Sequence, residues 1–217
     1  DLREPLRKVK AFGSLLSNQF DNQLGPVGQD YINRMTSAVG RMDAMIQGLL
    51  AYSQVTSKGA PLKNVPLRQV VMEVVTDLEV HISHVNGRIM VHELPTIQAD
   101  ELQMRILFQN LISNALKYHR PEVPPVITIT SRKPAKDQSV ILVQDNGIGI
   151  DMKYADFIFE PFSRLNGKSE YEGTGMGLTI CQKIMERHNG AISVTSTPGE
   201  GSVFILTFPR GAPNAAV

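Results

Sequence analysis

Residues 2, 6, 9, 13, 16 and 20 are Leu, Leu, Val, Gly, Leu and Phe, and their spacings of 4, 3, 4, 3 and 4 form one helical stripe already running at the start of the chain. A second stripe, Tyr31, Met35, Ala38, Met42, Met45, Leu49 and Tyr52, keeps the same spacing of 4 and 3. Between them, DNQLGPVGQD carries two glycines and a proline, a helix stop and restart. The alternation of 4 and 3 is that of a heptad seam, sustained over about three repeats. It predicts two long helices joined by a short loop, the second over roughly 28–57 and about 45 Å long. A hairpin alone buries one face of each helix, yet Ile46 and Leu50 add apolar residues beside the seam. Pairing two hairpins into a dimeric four-helix bundle buries both faces. An intramolecular coiled coil packed on the rest of the chain is the alternative. The seam methionines read as core filling.

The period disappears at SKGAPLKNVP, which has two prolines and a glycine. The expected organisation is a helical hairpin over 1–58, a linker over 59–65, a second domain over 66–210 and a disordered tail over 211–217. In the second domain, 67–84 reads as helical and RIMVHEL as a strand. Residues 100–119 read as a helix capped by Asp100, and 175–189 as a helix stopped by Asn189-Gly190. VITITSRK, SVILVQD, AISVTST and SVFILTF read as strands, the last two joined by the turn PGEG. Helices and strands in blocks predict an α+β fold, an α/β sandwich with a mostly antiparallel sheet, behind the hairpin. A hydrophobic fraction of 42% supports a packed core, and a net charge of +1 gives no electrostatic case for nucleic acid or an anionic membrane. No apolar run in this fragment approaches the roughly 18 residues of a membrane span. A single cysteine, Cys181, excludes an internal disulfide, and its apolar neighbours mark it as a buried thiol.

Three stretches of the second domain carry chemistry. In FQNLISNALKYH, Asn110, Asn114 and Lys117 fall within about 60° of one another around a helix, away from the apolar sector of Phe108, Leu111, Ile112 and Ala115. Carboxamide oxygens suit a hard cation such as Mg²⁺, and an ammonium suits phosphate, but a solvated helix face is the preferred reading of this stretch taken alone. DNGIGID follows an apolar strand directly. It places the Asp145 carboxylate, which can accept from an exocyclic amine, beside Gly147 and Gly149, which let the chain pass close to a ring; a plain tight turn is the alternative. EGTGMGLTICQKI runs Gly173, Gly175 and Gly177 into a helix start, where free backbone N–H groups suit an anion. Its spacing is not that of a dinucleotide fingerprint, and NGKSE lacks the glycine that a P-loop requires.

In this order, the asparagine-bearing helix, D-x-G-x-G and G-x-G-x-G resemble the asparagine box and glycine boxes of the Bergerat ATP-binding fold. Sensor histidine kinases, Hsp90 chaperones and type II topoisomerases share that fold. FIFEPFSRL resembles the F box of the histidine kinases, and GEGSVF the last glycine motif. With the hairpin in front, the resemblance to a histidine kinase core covers nearly the whole chain. It implies that Asn114, with Asn110, binds Mg²⁺ between the phosphates of ATP, that Lys117 and Tyr118 touch the nucleotide, and that Asp145 takes the adenine amine. Gly147, Gly149 and the run Gly173, Thr174, Gly175, Met176, Gly177 and Leu178 would shape the pocket and a lid over about 151–174. Arg164 would stabilise charge on the γ-phosphate.

Kinases of this family carry their acceptor histidine in a box that DLREPL matches from its second residue, so the acceptor is expected immediately before Asp1, with Asp1 as the base beside it. Glu4 makes this resemble the H-D-x-x-E-P-L variant of phytochrome-like and PAS-bearing kinases, and an ionised carboxylate there predicts weak phosphatase activity. The resemblance implies a homodimeric, cytoplasmic kinase core that autophosphorylates on histidine and passes the phosphate to an aspartate of a response regulator receiver domain. A nucleotide-binding scaffold without an acceptor, or another ATPase of the fold, are the rivals.

Overall fold

The computed structural model describes residues 3–57, 60–132, 138–165 and 173–209. Asp1 and the tail 211–217 lie outside the described residues. Two compact units divide within the second helix, between Ala51 and Tyr52.

The first unit is a helical hairpin of α1 (Arg3–Gln19) and the part of α2 (Asp21–Ser57) up to Ala51. The expected stop is a single break inside α2: Gly25 leaves helical geometry at φ 61°, ψ 176°, and Pro26, with its fixed φ, restarts the helix. The helices run antiparallel, because Gln29 donates to Ser17 while Gly13 meets Thr36. A Cβ at Gly13 would lie 2.6 Å from the Thr36 methyl, so glycine permits close approach there. The face of α2 turned to α1 is Ile32, Thr36 and Val39, with Ile32 and Val39 buried. Met35 also approaches α1, its terminal methyl 3.3 Å from where a Cβ on Gly13 would stand. Tyr31, Met35, Met42, Met45 and Leu49, together with Val9, Phe12, Leu16 and Phe20 of α1, stay exposed in the single chain. That exposure is the exposure of one chain, and within the hairpin Met35 joins Ile32, Thr36 and Val39 against α1.

The second unit contains a five-stranded sheet in the order β2-β4-β5-β7-β6. Its strands are β2 (Arg88–Val91), β4 (Val126–Arg132), β5 (Gln138–Asp145), β6 (Ala191–Thr197) and β7 (Gly201–Pro209). Only β2 with β4 is parallel; the other pairs are antiparallel, as expected. A separate two-stranded ladder pairs β1 (Lys63–Pro66) with β3 (Thr96–Ala99). Residues 63–65 were expected within the linker. Four residues ending in proline are too short to show a period, and it is the burial of Val65 that ties them to the unit. Helices α3 (Leu67–Asp77) and α4 (Glu79–His84) replace the single helix read over 67–84 and break at Leu78.

The core lies between the sheet and two helices, α5 (Glu101–Lys117) and α6 (Gly177–Arg187). Leu107, Phe108, Leu111, Ile112 and Leu116 of α5 and Ile180, Cys181, Ile184 and Met185 of α6 are buried. Ile127, Ile129, Ile141, Val143, Phe204, Leu206 and Phe208, two apart on their strands, form the sheet's facing surface. Burial pushes the Cys181 thiol far above its usual range, so it is inert packing. Among the described residues, no helix is long and apolar enough to cross a membrane.

Asp100 caps α5 by accepting from the Gln103 N–H at 3.3 Å, as its position predicts. Its other oxygen accepts from the Ala60 N–H at 3.0 Å, and Arg187 donates to the Ala60 carbonyl at 3.1 Å. His188 completes the cluster. Its Nε2 accepts from the Asp100 N–H at 3.0 Å, so its Nδ1 carries the proton and donates to the Ile184 carbonyl at 2.7 Å. Burial lowers the His188 pKa, aided by the Arg187 charge and opposed by the Ile184 bond and Asp100. The unfolded chain therefore takes up this proton first. The stability His188 contributes is whole above the ordinary histidine value of about 6.5 and is lost as pH falls below it. Acidification from about pH 7.5 to 5 is expected to lower the unfolding midpoint of the protein. His188→Gln, whose side-chain oxygen can still accept from Asp100, should remove that part of the dependence. Identical pH profiles for the two proteins would contradict this account.

Candidate functional site

The polar stripe of α5 ends near the end of the central strand β5, which delivers Asp145. Asn114 and Tyr118 line a pocket there together with Asp145 and Gly149. Its walls are apolar: Ala115, Ile148, Ile150, Ile158, Leu178 and Phe204. Ser163, Arg164, Leu165 and Ser202 complete it. The Ser163 hydroxyl is buried and finds no hydrogen-bond partner among the described residues.

Asp145 is held by the backbone. One carboxylate oxygen accepts from the Gly147 N–H at 2.8 Å and the Ser202 N–H at 3.2 Å. Burial raises its pKa, and these two bonds offset the shift only in part. The loop after it is fixed on both sides. Ile148 donates to the Tyr118 carbonyl at 2.9 Å and accepts from the Gly199 N–H at 2.7 Å. Arg120 donates to the carbonyls of Asn146 and Gly199, each at 3.0 Å. Gly149 sits at φ 70°, with the Thr197 carbonyl where a Cβ would stand, so no other residue fits this turn without moving the β6–β7 hairpin.

Asn110 does not line the pocket. It lies one helical turn before Asn114, donates to the Ile106 carbonyl at 2.9 Å, and presents its side-chain oxygen to the start of α6. A Cβ at Gly177 would lie 2.8 Å from that oxygen, so the glycine lets α6 begin against the asparagine helix. Lys117 folds onto its neighbour, with Nζ 2.8 Å from the Tyr118 hydroxyl and 4.2 Å from the ring centroid. Gly147 serves through its N–H to Asp145 and passes beneath the Tyr118 carbonyl. The Gly175 carbonyl accepts from the Phe162 N–H at 3.1 Å. Met176 is buried at 2% exposure at the start of α6. Gly173 and Thr174 do not line the pocket. Asp1 lies outside the described residues.

Ser202, Ser163 and the walls Ile148, Ile150, Ile158 and Phe204 escaped the sequence reading. Apolar walls look like any other core positions. Ser202 had a signal, because it directly follows the glycines of the β6–β7 turn and so reaches the end of β5.

An apolar slot with a buried carboxylate at one end fits a flat ring bearing an amino group. Asn114 and Arg164 add a carboxamide oxygen and a guanidinium, groups suited to a hard cation and to phosphate. Among the described residues there is no cluster of three or more His, Cys, Asp or Glu side chains. The Asn114 carboxamide offers one hard oxygen of the kind Mg²⁺ takes, a cation that binds through few protein ligands together with substrate phosphates.

The family described as "Histidine kinase-, DNA gyrase B-, and HSP90-like ATPase" matches residues 99–212. The phytochrome-like protein Cph1 of Synechocystis sp. is 37% identical over 211 residues, 97% of this chain and 28% of its own length. Cyanobacterial phytochrome A of Nostoc sp. is 37% identical over 211 residues, 97% of this chain and 27% of its own. The chain thus spans little more than a quarter of the length of these curated relatives. The crystal structure of full-length ShkA in complex with AMPPNP shares the fold, with a TM-score of 0.69 at 22% identity over 98% of this chain and 45% of that one. Since the family match takes in both the asparagine helix and the last strand of the sheet, the chain belongs to the histidine kinase-, DNA gyrase B- and HSP90-like ATPases, the Bergerat ATP-binding fold, and is homologous to histidine kinases and phytochromes.

Proposed function

We propose that the chain is the core of an ATP-dependent protein-histidine autokinase of a two-component system. The observation that carries this reading is the convergence of Asp145, Asn114 and Arg164 on one apolar pocket, in a chain of this family that opens with a helical hairpin. The hairpin, 1–58, is the dimerisation and phosphotransfer domain, 59–65 joins it to the ATP-binding domain, 66–210, and 211–217 is a tail. Its exposed apolar stripe is the face that a second copy covers in a homodimer.

In this reading the Asp145 carboxylate accepts from the adenine amine, and Ile148, Ile150 and Phe204 cover the ring and exclude water. Lys117, Tyr118 and the run from Gly173 to Leu178, including Thr174, Gly175, Met176 and Gly177, border the nucleotide. Asn114 would hold Mg²⁺, whose chemistry there is to neutralise charge on the phosphates, while Asn110, expected to share that role, packs against the start of α6. Arg164 places its guanidinium against the γ-phosphate. An imidazole nitrogen of the acceptor, expected beside Asp1, attacks the γ-phosphorus as the bond to ADP breaks. The Asp1 carboxylate takes the other imidazole proton. The phosphoryl group then passes to an aspartate carboxylate of a response regulator receiver domain. The kinase core works in the cytoplasm.

Full-length protein incubated with γ-labelled ATP and Mg²⁺ should acquire label that is stable to alkali and lost in acid, the mark of a phosphorylated histidine. Asn114→Ala should lose the label while the dimer mass is unchanged. Steady ATP hydrolysis without labelled protein would instead favour another ATPase of the fold.

The raised pKa of Asp145 gives a second test. The amine of the base favours the ionised carboxylate, so bound nucleotide lowers this pKa. ADP affinity is therefore whole above the pKa of free Asp145 and falls as pH drops through it. Asp145→Asn should bind ADP weakly and without that slope. A slope shared by both proteins would belong to the ligand and remove Asp145 from the role.

A further inference from the structure

Ser196 stands on β6 directly opposite Ser202 on β7, so their side chains share a face of the sheet. Its hydroxyl is engaged three times. The Ile150 N–H donates to it at 2.7 Å, the Gly201 carbonyl lies 2.7 Å away, and the Ser202 hydroxyl lies 3.0 Å away. A hydroxyl has one proton, and a carbonyl oxygen can only accept. The Ser196 proton therefore goes to Gly201. The contact between the two serines must then be donated by Ser202. Ser202 lines the pocket, and with its own proton committed to Ser196 it offers the pocket lone pairs only.

The polar floor of the pocket is thus set to a single sense. Asp145 has one oxygen occupied by two backbone N–H groups, which leaves the other to accept. Beside it, the Ser202 hydroxyl also accepts. Two adjacent acceptors match the two N–H bonds of an exocyclic amine and repel a carbonyl oxygen at the same place. The same Ser196 oxygen pins Ile150, a wall of the slot, so the orientation of the hydroxyl and the position of the wall are coupled.

We infer that Ser196, which does not itself line the pocket, is a positioning residue for base selection: by giving its proton to Gly201 it fixes the Ser202 hydroxyl as an acceptor and makes the pocket select an amino-bearing purine over a carbonyl-bearing one. This rests on the adenine-nucleotide reading above.

The test compares ADP with IDP, in which a carbonyl oxygen replaces the amine, by calorimetric titration of the full-length protein. The wild type should favour ADP by about tenfold or more, the scale of one unmatched buried polar group. In Ser196→Ala the Ser202 proton is released to turn toward the base, and the preference should fall to within about threefold. Ser196→Thr keeps the hydroxyl and should keep the preference. In the double variant Ser196→Ala with Ser202→Ala the donor is gone, and discrimination against IDP should return. Equal weakening of ADP and IDP by Ser196→Ala would show a purely structural role and overturn the inference. So would a wild type that binds both alike, with the nucleotide-binding reading left standing. A wild type that binds neither would overturn the reading and the inference together.

Discussion

Much of the structure around the pocket follows from keeping one carboxylate desolvated and only half satisfied. Asp145 ends a central strand of the sheet, under apolar walls, where burial works against its charge. Two backbone N–H groups hold one of its oxygens and leave the other to the cavity. A buried anion in that state is tolerated only where the surrounding backbone is rigid. Each neighbouring feature supplies rigidity. Arg120 and Ile148 tie the loop after Asp145 to the β6–β7 hairpin, and Tyr118 at the end of α5 holds the same loop from the other side.

This arrangement explains why glycines crowd these loops. At Gly149 the chain turns through a left-handed conformation against a carbonyl of the hairpin, and at Gly177 the start of α6 rests on the carboxamide of Asn110. The glycines permit close approach of three backbone segments and a side chain, and the pocket is the space these approaches leave. Asn110 acts on that packing, whereas Asn114, one turn on, faces the cavity. Two asparagines that look equivalent along the sequence thus stand in different places.

The fold was largely legible. Long helices announced themselves through spacing, and strands of seven or more residues through alternation. What escaped was short or small. The ladder of β1 and β3 has four residues a side, too few for a period. On α2 the spacing picks out Met35, Met42 and Met45, and the packed face within the hairpin adds Ile32, Thr36 and Val39 to Met35, where close helices need modest side chains. At the pocket, Asn114, Asp145 and Gly149 stood out because their residue types are unusual for a helix interior or a strand end. Ile150, Ile158 and Phe204 did not, since nothing distinguishes a wall from a core. Ser196 was invisible for a different reason: its part depends on where a proton goes, which only the three partners of its oxygen reveal.

The central claim is that an adenine nucleotide occupies the slot floored by Asp145, and the structure of the protein crystallised with a non-hydrolysable ATP analogue and Mg²⁺ tests it most directly. The account predicts the base between Ile150 and Phe204 with its amine on the free oxygen of Asp145, and the phosphates running toward Asn114 and Arg164. A nucleotide seated elsewhere, or a base turned with its amine to solvent, would contradict it.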